Sequence, residues 1–189
     1  MNLNSIALHY VHNVRHKAQD ELNWFKQQPN LGSAIEHAAL GINKKGRKYR
    51  HQWRLKNTSI EAARQILIKN CDAISKSKDF DDLFALVEGL CKPIKGIGEL
   101  YIYDTSLRIA ARLHLMPRKV YLHAGTRAGG RALGLDINAK TLELSKIPLA
   151  LRKLKPHEIE DVLCIYKDYF SKAGEKYAKD DLIKRSWCG

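Results

Sequence analysis

The sequence predicts a single all-α domain of about eight or nine helices spanning residues 1–189. Three observations carry that expectation. Apolar residues recur at three- and four-residue spacing in one segment after another. Asn, Asp and Pro stand where helices would start, and Gly and Pro stand where they would stop. Strand-like alternation is weak, and there is no internal repeat or low-complexity linker. With 189 residues and 44% hydrophobic content, the chain is large enough to bury a core.

Residues 1–28 read as one helix with a loose stripe of Leu3, Ile6, Tyr10, Val14, Leu22 and Phe25, ended by Pro29. His9, His12 and His16 share a face of it. No Cys, Asp or Glu completes a tight metal site with them, so they read as a polar, histidine-rich face. A short helix over 31–40 carries Leu31, Ile35, Ala38 and Ala39, and Gly41 stops it.

A basic loop follows over 43–56, with Lys44, Lys45, Arg47, Lys48, Arg50, Arg54 and Lys56, no acid, and interleaved Tyr49 and Trp53. Like charges packed this densely repel unless something compensates them. Phosphates would do so, and the aromatics would stack on exposed bases. A solvated loop with Trp53 in the core is compatible with the same pattern.

Asn57, Thr58 and Ser59 supply capping chemistry for a helix with Ile60, Ala63, Leu67 and Cys71, reaching about Ile74. Asp79 caps the next helix, where Phe80, Leu83, Phe84, Val87 and Leu90 are periodic. Capping also explains the sequence cluster of Asp79, Asp81 and Asp82, which a metal-dependent nuclease would use as ligands. Pro93 ends that helix.

Residues 93–98 form a turn with Gly96 and Gly98 around Ile97, and a helix starts at once. Its expected inward face is Leu100, Tyr103, Leu107, Ala110 and His114. A helix start of this kind presents free N–H groups to an anion, most often a phosphate.

After a turn at Met116 and Pro117, an apolar segment leads to Gly125, Gly129 and Gly130 with Arg127 and Arg131 four apart. The arginines would share a helix face and bind phosphate, while the glycines serve equally for close helix packing. The lysine and hydroxyl of a P-loop are missing after these glycines. A short helix over 149–153 and a final clear one from Pro156, with Ile159, Val162, Leu163, Tyr166 and Phe170 inward, complete the pattern. Residues 171–189 are polar and basic, and Trp187 marks a tail expected to dock.

Net charge is +13 and the isoelectric point about 9.6. That balance predicts a polyanionic partner, nucleic acid before an anionic membrane. Cys71, Cys91, Cys164 and Cys188 have no zinc-type spacing. The first 30 residues carry no signal-length apolar run and no segment approaches 18 apolar residues. The expectation is a cytoplasmic protein with reduced thiols, no membrane association, no metal and no cofactor.

The segment Ile94-Lys95-Gly96-Ile97-Gly98-Glu99-Leu100, between two apolar helices, resembles the helix-hairpin-helix element of DNA-binding proteins. That resemblance implies phosphate contact by Gly96 and Gly98 without base reading, charge from Lys95, and anchoring by Ile94 and Ile97. Over roughly 80–136 the order of elements is loosely similar to endonuclease III-like DNA glycosylases. The family's aspartate, expected within 120–126, and the lysine two residues after the second hairpin glycine are both absent; Leu100 stands at the latter position. Without a carboxylate, an oxocarbenium-like transition state loses its main electrostatic support. His123 and Asp104 are the residual catalytic candidates. The leading expectation is a non-catalytic, non-sequence-specific DNA binder. It would use Lys95, Gly96, Ile97 and Gly98, the loop residues Lys44, Lys45, Arg47, Lys48 and Arg50, and Arg127 and Arg131. A divergent glycosylase/lyase and a protein-interaction module with a basic face are the alternatives.

Overall fold

The computed structural model describes residues 2–170. Those residues are all-α, with 63% in helix and 4% in strand. They contain ten α-helices and one two-stranded sheet. In chain order the elements are α1 (Leu3–Asn13), α2 (Arg15–Lys26), α3 (Leu31–Leu40), α4 (Asn57–Lys69), α5 (Cys71–Ser75), α6 (Phe80–Cys91) and α7 (Glu99–Leu113). Then come β1 (Val120–Tyr121), α8 (Ala124–Ala132), β2 (Thr141–Leu142), α9 (Pro156–Ile165) and α10 (Lys167–Phe170). The expected long first helix is broken at Val14, which turns into the core with φ −119°. Residues 149–153 form turns rather than a helix. The docking expected of Trp187 lies outside the described residues.

Contacts divide the chain into two compact units. Among the described residues, 19–117 form one continuous unit, and 2–18 with 118–170 form the other.

In the continuous unit α3 packs on α4 and α7, and α6 packs on α7 and α4. Its core holds Ile35, Ala38, Ile60, Leu67, Phe80, Leu83, Val87 and Ile109. Asn30 caps α3, its side chain accepting from the Ser33 amide at 2.8 Å, and Gly41 closes that helix at φ 61°. Asp79 caps α6 as expected, accepting from the Asp82 amide at 2.9 Å. The inward face of α7 differs from the expected one. Tyr103 and Ala110 are buried, but so are Ile102, Thr105, Ser106, Arg108 and Ile109, while His114 is exposed at the helix end. The helix is covered on most of its circumference, so apolar spacing alone does not mark its deepest face.

The buried Arg108 is compensated on several sides. Its Nε donates to Glu21 at 2.9 Å, Asp104 lies 3.8 Å away, and the guanidinium stacks 3.9 Å over the Tyr49 ring.

The second unit buries Ile6, Tyr10 and Val14 of the amino-terminal segment with Val120, Leu122, Leu142, Ile147, Ile159, Val162, Leu163 and Tyr166. Tyr10 donates to Asp161 at 2.6 Å and Arg15 to Glu158 at 2.9 Å, tying the end of α1 and the start of α2 to α9. Strand β1 pairs antiparallel with β2, Val120 opposite Leu142. Helix α8 lies close on α9 because Gly129 has no side chain: a Cβ there would stand 2.0 Å from the Leu163 carbonyl oxygen.

Candidate nucleic-acid interface

The turn between α6 and α7 has the geometry its glycines predict. Gly96 takes φ 91°, a conformation that side chains rarely adopt. The Ile97 amide closes the turn on the Ile94 carbonyl at 3.1 Å. Gly98 stands at the start of α7 in extended backbone, so no side chain caps that helix. First-turn N–H groups of an α-helix have no intrahelical acceptor and carry its positive dipole end. Lys95, Gly96 and Gly98 are exposed, while Ile94 and Ile97 are half-buried.

The hairpin is fastened to α4. Ser59 Oγ donates to the Lys95 carbonyl at 2.7 Å. The expected capping by Asn57, Thr58 or Ser59 does not occur. The residue before α4 is Lys56, whose side chain makes no capping bond. Asn57 instead accepts from Lys48 Nζ at 2.6 Å. One short helical turn, residues 57–59, therefore touches the basic loop on one side and the hairpin on the other.

The loop itself is ordered by its own backbone. Ile42 bridges Lys48, and Asn43 Oδ1 accepts from the Lys45 and Arg47 amides at 2.9 and 3.3 Å. Lys44, Lys45, Arg47 and Arg50 are exposed and Lys48 is half-buried by its bond to Asn57. The inward position considered for Trp53 is taken by Tyr49 instead. Trp53 is 66% exposed, its indole N–H held by the Lys48 carbonyl at 3.1 Å. Tyr49 is the inward one, under Arg108. Its hydroxyl is pushed well above its usual range, by burial first and then by nearby acids against Arg108.

Arg127 and Arg131 belong to the other unit. Arg127 donates to the Leu122 carbonyl at 2.8 Å and the Ile137 carbonyl at 3.1 Å, so its guanidinium holds the loop after α8. Arg131 is exposed. Of the two catalytic candidates, Asp104 pairs with Arg108 in the continuous unit. His123 is buried at the start of α8, where its Nε2 meets Glu160 of α9 at 2.5 Å and Cys164 lies one turn further along α9. His9 bonds Tyr166 at 2.8 Å, and burial lowers its pKa. His9, His12 and His16 do not form a metal-ligating group among the described residues. Glu160 is a buried carboxylate that sequence reasoning did not place beside His123. It lies 37 residues from His123, and only the α8–α9 packing brings them together. Among the described residues no helix is long and apolar enough to cross a membrane.

No family model, curated protein or solved structure matches the chain.

Proposed function

We propose that the protein binds the DNA phosphate backbone without reading sequence, through the continuous unit. The carrying observation is the junction at residues 57–59, where the glycine hairpin and the basic loop are fastened to the same helical turn. A phosphate at the start of α7 meets first-turn N–H groups and Lys95. Lys44, Lys45, Arg47 and Arg50 serve the neighbouring phosphates, and exposed Trp53 offers a stacking face where bases are unpaired. The net charge of +13 favours the encounter.

The test is duplex binding across a salt series. A backbone clamp gives a steep linear fall of log affinity with log salt, indifferent to sequence. Replacing Lys44, Lys45, Arg47 and Arg50 by Ala lowers that slope by about one for each lost contact. Gly96→Val weakens binding to every sequence alike. A slope unchanged by the loop variant, or a loss confined to certain sequences, refutes the clamp. Incubating abasic and base-damaged strands in the same series reads out strand cleavage, which this reading does not expect.

A further inference from the structure

Three side chains of different chemistry meet in the unit that does not carry the hairpin. Glu160 and Cys164 stand one turn apart on α9, and His123 faces them from the start of α8. One ligand atom from each, an imidazole nitrogen, a carboxylate oxygen and the thiol sulfur, lies within 4.8 Å of the other two. All three residues are buried. We propose that His123, Glu160 and Cys164 bind a divalent d-block cation of the zinc class.

The donor set fits that class. A thiolate with an imidazole is the ligation of zinc and its neighbours, whereas magnesium and calcium take oxygen alone. A tetrahedral ion bonded at about 2.0–2.3 Å keeps its donors roughly 3.3–3.8 Å apart. The trio meets that spacing with side-chain movements on the order of 1 Å, chiefly His123 and Glu160 parting from their direct contact. Three protein ligands leave a fourth position for water or a small ligand.

The scaffold holds the donors for this use. The His123 amide donates to Thr126 Oγ1 at 2.6 Å and Thr126 Oγ1 donates back to the His123 carbonyl at 2.9 Å, fixing the turn that carries the imidazole. Space for the sulfur exists because residue 125 is glycine; a Cβ there would stand 2.6 Å from Cys164 Sγ. On binding, the S–H bond breaks, a sulfur–metal bond forms and the thiol proton leaves to the buffer. The imidazole binds through Nε2 as its Nδ1–H tautomer: the ring proton passes from Nε2 to Nδ1, and the 3.3 Å bond that Nδ1 accepts from the Gly125 amide is given up.

The experiment titrates the reduced, metal-free full chain with Co2+. The expected result is a thiolate-to-cobalt charge-transfer absorption that saturates at one equivalent and is abolished by Zn2+. Cys164→Ser removes the band, Glu160→Gln weakens binding at least tenfold, and Cys91→Ser and Cys188→Ser leave the band in place. In the unaltered chain, one equivalent of Zn2+ slows alkylation of Cys164, mapped by mass spectrometry, but not of Cys71. That readout stands even where a variant fails to fold. Absence of a saturable band, a band surviving Cys164→Ser, or alkylation of Cys164 indifferent to Zn2+ overturns the proposal. DNA binding by the hairpin unit is read separately and is unaffected by any of these outcomes.

Discussion

At Gly129 a single missing methyl group sets how closely two helices approach. Its α-carbon faces the Leu163 backbone, which cannot swing aside as a side chain would. Gly129→Ala is therefore expected to destabilise the fold by about 3 kcal/mol, the upper end of typical overpacking. Gly89→Ala, where nothing lies within 4 Å of the added carbon, is the control; urea melts of the two compare them directly. Glu99 poses a different single-residue question. It occupies the first turn of α7, beside the place proposed for a phosphate. Two like charges about 6 Å apart in water repel by about 0.7 kcal/mol. Glu99→Gln should then tighten duplex binding roughly threefold at low salt, and an unchanged affinity would move the phosphate elsewhere. Residue roles were the least legible part of the sequence. Tyr49 and Trp53 sit in one basic run without apolar periodicity, so nothing in the pattern says which turns inward. Arg108, buried and paired to Glu21 across 87 residues, has no local signature at all. The same holds for Glu160, whose meeting with His123 depends on tertiary packing.

Elements were legible where local chemistry and packing agree. Helix α3 ends at the left-handed Gly41 that the sequence marks, and the structure adds Asn30 as the cap at its start. Helix α6 begins at Asp79 with Asp81 and Asp82 complementing the dipole. Asp79→Ala should cost about 1 kcal/mol, seen as a lower melting temperature with the helix content intact. The turn that follows was legible for the same reason: a positive φ at Gly96 requires the residue that stands there. Helix α8 was not. Three of its nine residues are glycine, and glycine disfavours helix by about 1 kcal/mol each. Its helicity comes from contact with α9 and from the bonds between His123 and Thr126, not from propensity. The face of α7 was misread because a helix covered on most sides buries polar residues along with apolar ones.

At the scale of the whole molecule, the buried His157 gives an acid response that can be measured. Burial lowers the His157 pKa from 6.5 to about 4, against the opposing pull of Glu158 and with minor help from Lys155 and Arg15. The folded chain thus takes up this proton at lower pH than the unfolded chain does. Stability is fully present above about pH 6.5 and is lost as pH falls toward 4, by at most about 3 kcal/mol. His9, lowered in the same direction by burial, adds to the trend. Urea midpoints between pH 7 and pH 4 should show the decline, and His157→Leu should flatten it. The all-α class itself was legible from composition and periodicity. Within it the contacts gather into two compact units, and no linker separates them in the sequence.

That division also sets an order in time. The continuous unit is complete once residue 117 has been synthesised, whereas Tyr10 must wait for Asp161, 151 residues later. At about 5–20 residues per second, the interval is roughly 8–30 s. During it the side chains of Ile6, Tyr10 and Val14 have no core to enter, while an entire helical unit assembles behind them on the ribosome. The segment carrying Ile6, Tyr10 and Val14 is therefore a stretch that waits exposed for its partners while the continuous unit folds.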